Sequence, residues 1–288
     1  MAKDTFFQKK ATLNAGGRLI DLSSPKVMGI INLTPDSFYA GSRKTDISAA
    51  LELAEKMLIE GAAFLDLGAY SSRPDAGDVS VQEEIDRLLP VVEAVINRFP
   101  DSILSIDTFR SSVAEEAIKA GASVINDISG GQLDPDMFAT AARLHVPYIL
   151  MHMKGTPQTM KQEAHYENLF AEVFDFFVDR YHQLKELGVH DVIIDPGFGF
   201  AKKTQHSYAL MARLQDFNLL QLPLLTGVSR KTMIYRFLGG TAYDALNGTT
   251  VLNTIALMKG ANILRVHDVK EAVEAVKIWE RCNIDSTD

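Results

Sequence analysis

Residues 103–131, ILSIDTFRSSVAEEAIKAGASVINDISGG, decide the fold. They divide into an apolar run ending in Asp107, a segment with helical spacing, and a second apolar run ending in Asn126 and Asp127. The spacing predicts a helix because Ser112 and Glu115 stand three apart as in a capping box, Ala114, Ala117 and Ile118 share a face, and Gly121 supplies a stop. Both flanking runs are too short for helices and are rich in Ile and Val, like strands buried on both faces. A right-handed crossover makes the strands parallel, so Asp107 and Asn126 should emerge side by side at the edge where α/β proteins bind ligands. A carboxylate beside a carboxamide offers several acceptors and two amide donors, which suits a flat, nitrogen-rich ring. Capping the next helix is the structural alternative for each residue.

The same strand-then-helix alternation extends both ways. Toward the N-terminus, 62–67 reads as a strand followed by the loop GAYSSRPDAGDV, and Ser80 with Glu83 opens a helix with an apolar face of Val81, Ile85, Leu88, Val92, Ile96 and Phe99. Pro90 should kink that helix, since its ring crowds the preceding turn and removes a donor. Earlier, an apolar strand over 26–31 ends in Asn32, and the loop LTPDSFYAGSRK leads to a helix over 46–60 that Gly61 stops. Residues 12–22 alternate around 14–17, a short β-hairpin suited to plugging one end of a barrel. Toward the C-terminus come a short helix over 134–145, a strand over 146–151, a long amphipathic helix over 163–187 and a strand over 192–195 followed by PGFGFAKK. A helix to about 216, a strand over 222–226, helical stretches over 231–238 and 244–258, a strand over 261–266 and a helix to about 282 complete the pattern. About eight strand–helix units without a composition break predict a (β/α)8 TIM barrel, one domain over 1–288 with the hairpin at 12–22 and the barrel at 26–282. A doubly wound open sheet is the other α/β arrangement, but no Gly-rich dinucleotide fingerprint follows the first strand.

Composition is compatible with that fold. The 288 residues, 47% hydrophobic and 23% charged, hold ample apolar material for one barrel. A formal charge of −8 without a basic, aromatic-interleaved stripe argues against nucleic acid, so an anionic substrate must find its positive contacts locally. No apolar run approaches the ~18 residues of a membrane span, and MAKDTFFQKK has no apolar signal core. The single Cys282 excludes an intrachain disulfide and a cysteine metal cluster, and a cytoplasmic protein is expected.

Polar residues recur at the strand ends: Asn32, the Ser71-Ser72-Arg73-Pro74 turn, Asp107, Asn126, His152, Asp195, the Ser229-Arg230-Lys231 turn, and Arg265 with His267. In a barrel these converge on one mouth. Taken singly, Asp195-Pro196-Gly197 could be only a tight turn and Arg265 could pair with a carboxylate on the rim. His152 reads as a loop residue, with no second metal ligand at suitable spacing, and Met151, Met153 and Met160 read as packing. Lys231 and Arg265 follow late strands, where barrels often hold phosphate; Arg can grip it through two parallel hydrogen bonds, with a nearby His as a third donor. An anionic substrate group is expected at that corner.

Together, MGIINLTPDSF, DLGAYSSRP, SIDTFR, VINDISGG, LMHMKGTPQTM, IIDPGFGF, GVSRK and RVHDV, in this order, make the chain resemble the dihydropteroate synthases from about Val27 to the final helix. The resemblance implies a TIM-barrel transferase that joins a dihydropterin methyl diphosphate to 4-aminobenzoate, releasing diphosphate and giving dihydropteroate for folate synthesis. It implies pterin contacts at Asp107, Asn126, Met151, Asp195 and Lys231, and diphosphate contacts at Asn32, Ser72, Arg265 and His267, with Asn32 also linked to Mg²⁺. Aminobenzoate contacts are implied at Ser72, Arg73, Pro74, Phe200 and Ser229, and catalytic roles for Asp107, Lys231, Arg265 and His267. Such a reaction needs no covalent protein nucleophile: diphosphate departs early from a methylene on an electron-rich ring, and the aniline nitrogen attacks the delocalised cation. The protein's tasks are to neutralise the leaving group, through Arg265, His267 and Mg²⁺, and to hold the pterin. The loops NLTPDSFYAGSRK and GAYSSRPDAG are implied to close over the site, where Asp36 would face the developing positive charge or cap its turn. The family is usually dimeric through its later helices, and Val273, Val276, Ile278 and Trp279 could supply such a face or pack on the barrel.

The chain departs from the family's usual GGESTRP, reading GAYSSRP, with Tyr70 in place of an acid and Ser72 in place of Thr. Ser keeps the hydroxyl but loses a methyl contact, which bears on aminobenzoate or sulfonamide discrimination. Related possibilities are an enzyme moving a methyl group from a folate to a corrinoid protein, a non-catalytic pterin-binding paralogue, and a generic phosphate-binding barrel. The methyltransferase would share the Asp and Asn contacts but would not require Asn32, Lys231, Arg265 and His267 together.

Overall fold

The computed structural model describes residues 11–33, 43–70 and 79–283, excluding the side chains of 43–46. The chain opens with a hairpin, β1 (Thr12–Ala15) and β2 (Arg18–Asp21), paired from Thr12↔Asp21 to Ala15↔Arg18. Gly16 and Gly17 form its turn at φ 59° and 85°, left-handed values that disfavour any side chain.

Strands and helices then alternate: β3 (Lys26–Asn32), α1 (Arg43–Glu60), β4 (Phe64–Gly68), α2 (Val81–Arg98), β5 (Leu104–Asp107), α3 (Ser111–Lys119), β6 (Val124–Asp127), α4 (Met137–Leu144), β7 (Tyr148–Met151) and α5 (Leu169–Glu186). They continue with β8 (Val192–Asp195), α6 (Thr204–Ala212), β9 (Leu225–Thr226), α7 (Thr232–Leu238), α8 (Leu246–Met258), β10 (Ile263–Val266) and α9 (Val269–Cys282). The eight strands from β3 onward pair in parallel in the order β8-β7-β6-β5-β4-β3-β10-β9. A parallel bridge between Ile194 and Leu224, with the Ile194 N–H donating to the Pro223 carbonyl at 2.9 Å, joins the two ends into a barrel. Closure leaves no free sheet edge.

Side chains alternate across each strand, and that period of two places the site. One row, including Leu65, Leu67, Leu104, Ile106, Ile125, Leu150, Ile194 and Leu264, packs outward against the helices. The inward row starts with Met28, Phe64, Val124, Ile149, Ile193, Leu225 and Ile263, which form a separate cluster with Leu13, Ala15, Ile20 and Leu22 of the hairpin region. The hairpin thus plugs the N-terminal end of the barrel, each buried Leu or Ile contributing roughly 1.5–3 kcal/mol. Two residues further along, the same inward row turns polar: Asp66, Asn126, Asp195 and Arg265, with Met151 and Gly227 between them.

Several helix starts differ from the sequence expectation. The N-cap of α3 is Arg110, without a side-chain cap, so Ser112 and Glu115 form no capping box. Asp134 from the next connection replaces it, its Oδ2 accepting from the Ser111 N–H at 2.7 Å. Helix α5 begins at Leu169 rather than near 163, because Asn168 accepts from Ala171 N–H and Glu172 Oε1 accepts from the N–H groups of Glu167 and Asn168. In α2, Ser80 Oγ accepts from Glu83 N–H at 3.2 Å as expected, and the helix continues through Pro90 to Arg98. The stretch expected as a helix to about 216 ends at Ala212 and passes into a 3₁₀ turn, Leu214–Leu220, while a short one, Ala242–Ala245, precedes α8.

Candidate active site

Asp107 and Asn126 are register partners on β5 and β6, so the carboxylate and carboxamide do stand side by side. The next residue, Asp127, points the other way: it accepts from Tyr148 OH and from the N–H groups of Ser129 and Gly131, fixing the following turn within the helical layer. Beneath Asp107 and Asn126 lies Asp66, fully buried on β4. Its Oδ2 accepts from Arg265 Nε at 2.6 Å and from Asn126 Nδ2 at 3.0 Å. Arg265 Nη2 donates to Asp107 Oδ2 at 2.6 Å, so one guanidinium from β10 bridges carboxylates of β4 and β5. The rim pairing considered for Arg265 is therefore real, and Nη1 has no hydrogen bond within the described residues.

Electrostatics follow from this geometry. Burial pushes the Asp107 carboxyl up to about 7, Arg265 pulling it back and Asp66, Glu84 and Asp127 adding to the rise. For Arg265, burial works against the charge, but Asp66 and Asp107 outweigh it and hold the guanidinium firmly protonated. Asp195 is likewise raised by burial, opposed by Lys231 and by the Gly197 N–H, which donates to its Oδ1 at 2.8 Å. Lys231 caps α7; its Nζ donates to the Phe198 carbonyl at 2.5 Å and lies 4.9 Å from the centre of the Phe200 ring. Burial lowers the Lys231 ammonium to about 8, with Asp195 opposing the shift. His267 stands exposed on the rim, its Nδ1 3.0 Å from Ser229 Oγ. Desolvation and then Arg265 hold its imidazole below the ordinary value in the empty mouth, with Asp268 opposing the shift.

Gly227 explains how these groups share one space. A Cβ there would lie 3.9 Å from each of Arg265 Cβ, Asp195 Oδ2 and Lys231 Nζ, so the missing side chain leaves a slot bounded by all three. Met151 is buried in a small cluster with Ile128, Met153, Met160 and Ala201, against which the half-buried Phe200 packs. Asn32, at the end of β3, is exposed beside the mouth. His152 is buried against Lys202 rather than lying in an open loop. Arg230 is turned away from the slot: at φ 54° its guanidinium forms a two-point pair with Asp268 and reaches the carbonyls of Ala242 and Tyr243. Ser72, Arg73, Pro74 and Asp36 lie outside the described residues.

Asp66, Gly227 and Lys202 were not singled out from sequence. A charged residue inside the apolar run FLDLG was the available signal for Asp66, since an Asp at an inward strand position must be paired to stay buried.

A model of the family described as "Pterin binding enzyme" matches residues 28–267. The dihydropteroate synthase of Escherichia coli is 43% identical over 270 residues, covering 93% of this chain and 95% of that protein. The chain belongs to the dihydropteroate synthase family. Among solved structures, the Yersinia pestis dihydropteroate synthase in a sulfonamide drug complex superposes with a TM-score of 0.88 at 43% identity, covering 94% of this chain and 98% of that one. The Xanthomonas albilineans dihydropteroate synthase with 4-aminobenzoic acid gives 0.89 at 37% identity, covering 96% and 99%. The barrel with its N-terminal hairpin is thus the architecture of this family, and the doubly wound alternative is excluded by barrel closure. Among the described residues, no helix is long and apolar enough to cross a membrane.

Proposed function

We propose that this member of the dihydropteroate synthase family condenses (7,8-dihydropterin-6-yl)methyl diphosphate with 4-aminobenzoate by assigning each end of the substrate to one side of the mouth. The observation that carries the assignment is the chain of contacts Asn126–Asp66–Arg265–Asp107, which sets a hydrogen-bonding floor beside a fixed cation. Asp107, Asn126 and Asp195 take the polar edge of the pterin, with Met151 and Lys231 against the ring. Arg265, His267 and Asn32 take the diphosphate. Phe200 and Ser229, with Ser72, Arg73 and Pro74 from the second loop, take the aminobenzoate.

Catalysis on this reading is positioning plus charge stabilisation. As the C–O bond to diphosphate lengthens, Arg265 Nη1 and the His267 ring donate to the departing oxygens, and Lys231 stays near the pterin without becoming a nucleophile. The aniline nitrogen attacks the methylene cation and its proton passes to solvent or to the diphosphate. Removing one such charge contact should cost roughly 2–4 kcal/mol at the transition state. The exposed carboxamide oxygen of Asn32 is a hard donor of the kind Mg²⁺ accepts alongside phosphate oxygens. Mg²⁺, when bound there with the substrate, would neutralise diphosphate charge. The anion-binding corner favours the synthase over folate–corrinoid methyl transfer, which releases no diphosphate.

Two coarser features complete the proposal. Val251 and Met258 on α8 and Ile278 on α9 are exposed apolar residues, and a groove of about 590 Å³ between these helices is lined by Met258, Ala275, Ile278 and Trp279. Val276 is buried in the core and Val273 and Trp279 pack against it, so of the four α9 residues only Ile278 faces outward, and on this reading a second copy would dock on it together with Val251 and Met258. An exposed, unpaired Cys282 fits a reducing cytoplasm. Isothermal titration with the pterin diphosphate tests the site assignment: Asn126→Ala should weaken binding by about tenfold or more, as expected when a desolvated edge loses its partner. Unchanged affinity would place the pterin elsewhere.

A further inference from the structure

One buried side chain behind the mouth has no part in that mechanism. Lys202 is 7% exposed, and among the described residues it has no carboxylate within ion-pair distance. Its Nζ instead lies 2.8 Å from His152 Nδ1, 3.1 Å from the His152 carbonyl and 3.0 Å from the Phe200 carbonyl, one acceptor for each ammonium hydrogen. Burial pushes this lysine well below its ordinary range, Asp195 working against the shift, so the group is held in the interior at a cost.

The contacts show what it does there. Lys202 ties the end of β7 to the turn 197–201, which is left-handed at Gly197 (φ 68°), Gly199 (φ 83°) and, unusually for a residue with a Cβ, Ala201 (φ 47°). The apposition is close: a Cβ on Gly197 would collide with the His152 carbonyl. Tyr166 adds a second tie, its hydroxyl donating to the Ala201 carbonyl at 3.0 Å. Strained backbone persists only where its surroundings over-determine it. What this turn presents to the mouth is the Phe198 carbonyl, bonded to Lys231 Nζ, and the Phe200 ring beside the same ammonium.

We infer that Lys202 is a positioning residue for the arylamine: by bonding the Phe200 and His152 carbonyls it sets the Phe200 ring where 4-aminobenzoate must pack. The inference rests on the assignment of Phe200 to the aminobenzoate wall. Lys202 acts more on the arylamine than on the pterin, because Asp66, Asp107, Asn126 and Arg265 form no hydrogen bond with it, whereas Asp195 and Lys231 meet the same turn only through Gly197 N–H and the Phe198 carbonyl.

Steady-state kinetics with each substrate varied in turn test it. Lys202→Met, which keeps length but removes every donor, should raise KM for 4-aminobenzoate about tenfold, as expected for losing hydrogen bonds that order the turn, and raise KM for the pterin diphosphate by about threefold at most; an equal rise in both overturns the inference. Lys202→Gln, with one amide donor group left, should recover part of that loss. Tyr166→Phe removes only the Ala201 tie and should raise the same KM about threefold; it decides the matter should Lys202→Met fail to fold. A purely structural lysine would lower the melting temperature and the apparent kcat while leaving both KM values alone, and that result overturns the inference. Phe200→Ala tests the assignment beneath it. No change of aminobenzoate KM in that variant removes the site reading itself, whereas a rise there with none in Lys202→Met or Tyr166→Phe removes only the role given to Lys202.

Discussion

Asp66→Ala perturbs the mouth from below: Asp66 is itself assigned to no substrate group, but it holds Arg265 and Asn126, which are. The substitution deletes the oxygen shared by Arg265 Nε at 2.6 Å and Asn126 Nδ2 at 3.0 Å. Losing a charge-assisted hydrogen bond costs roughly 1.5–3 kcal/mol, and leaving the Asn126 amide unpaired in the interior costs roughly 1–3 more. Two features moderate the total. Arg265 keeps Asp107, and the other Asp66 oxygen, buried without a partner among the described residues, no longer has to be desolvated. The expected loss is therefore about 3 kcal/mol, at the lower end of the range for breaking a buried pair. Urea unfolding of parent and variant measures it. The same change frees the guanidinium to shift by an ångström or so, which should lower kcat/KM about 100-fold in diphosphate-release assays. Arg265→Met alone leaves two carboxylates near one another without their cation, so the double variant should lose less than the sum of the two singles. A loss below about 1 kcal/mol with kcat/KM within about threefold of the parent would refute the idea that Asp66 organises the mouth.

Gly227→Val should fold normally, since the backbone there is not left-handed and a Cβ meets nothing closer than 3.9 Å, yet its methyl groups would fill the slot between Asp195, Lys231 and Arg265. Calorimetry should show pterin diphosphate affinity falling by about tenfold or more with stability nearly unchanged; intact binding would contradict the slot. The pH profile of kcat/KM should rise as Asp107 ionises near 7 and fall as Lys231 loses its proton near 8, giving a narrow bell whose alkaline limb moves in Lys231→Arg. Stability carries a related signature. Because burial raises the folded pKa of Asp107 above the ordinary 3.8, the native state binds that proton more tightly, and this site's contribution to stability declines as pH rises from about 4 through 7. Asp107→Asn should therefore gain in melting temperature relative to the parent across that window, and a constant difference would argue against a raised pKa.

The barrel was legible because the strands are short apolar runs and several helices, α2, α3, α4 and α9 among them, are clearly amphipathic, so local pattern and global fold agree. Strand ends were legible for the same reason: the residue closing each apolar run had to sit at the mouth. Asp107, Asn126, Asp195, Lys231 and Arg265 were found in this way and do share one space. What escaped were contacts between distant segments. The cap of α3 comes from Asp134, a residue with no local relation to Ser111, and overrides a Ser112–Glu115 spacing that looked sufficient. A carboxylate partner for Arg265 was considered from sequence, but that it would be two, Asp66 and Asp107, was not legible, because only the folded barrel brings those strands together. Nothing in PGFGFAKK marks Lys202, because Lys is rarely buried and its contacts depend on carbonyls that only the turn geometry presents.

The central claim is that this mouth condenses a pterin diphosphate with an arylamine through fixed charges and no covalent nucleophile. Its most direct test is diphosphate release from the dihydropterin methyl diphosphate, with and without 4-aminobenzoate and Mg²⁺, in the parent and in Lys231→Ala and Arg265→Ala. The account predicts release that depends on aminobenzoate, yields dihydropteroate, and falls by roughly 2–4 kcal/mol of transition-state stabilisation in each variant. Pterin binding without turnover in the parent, or full activity in both variants, would contradict it.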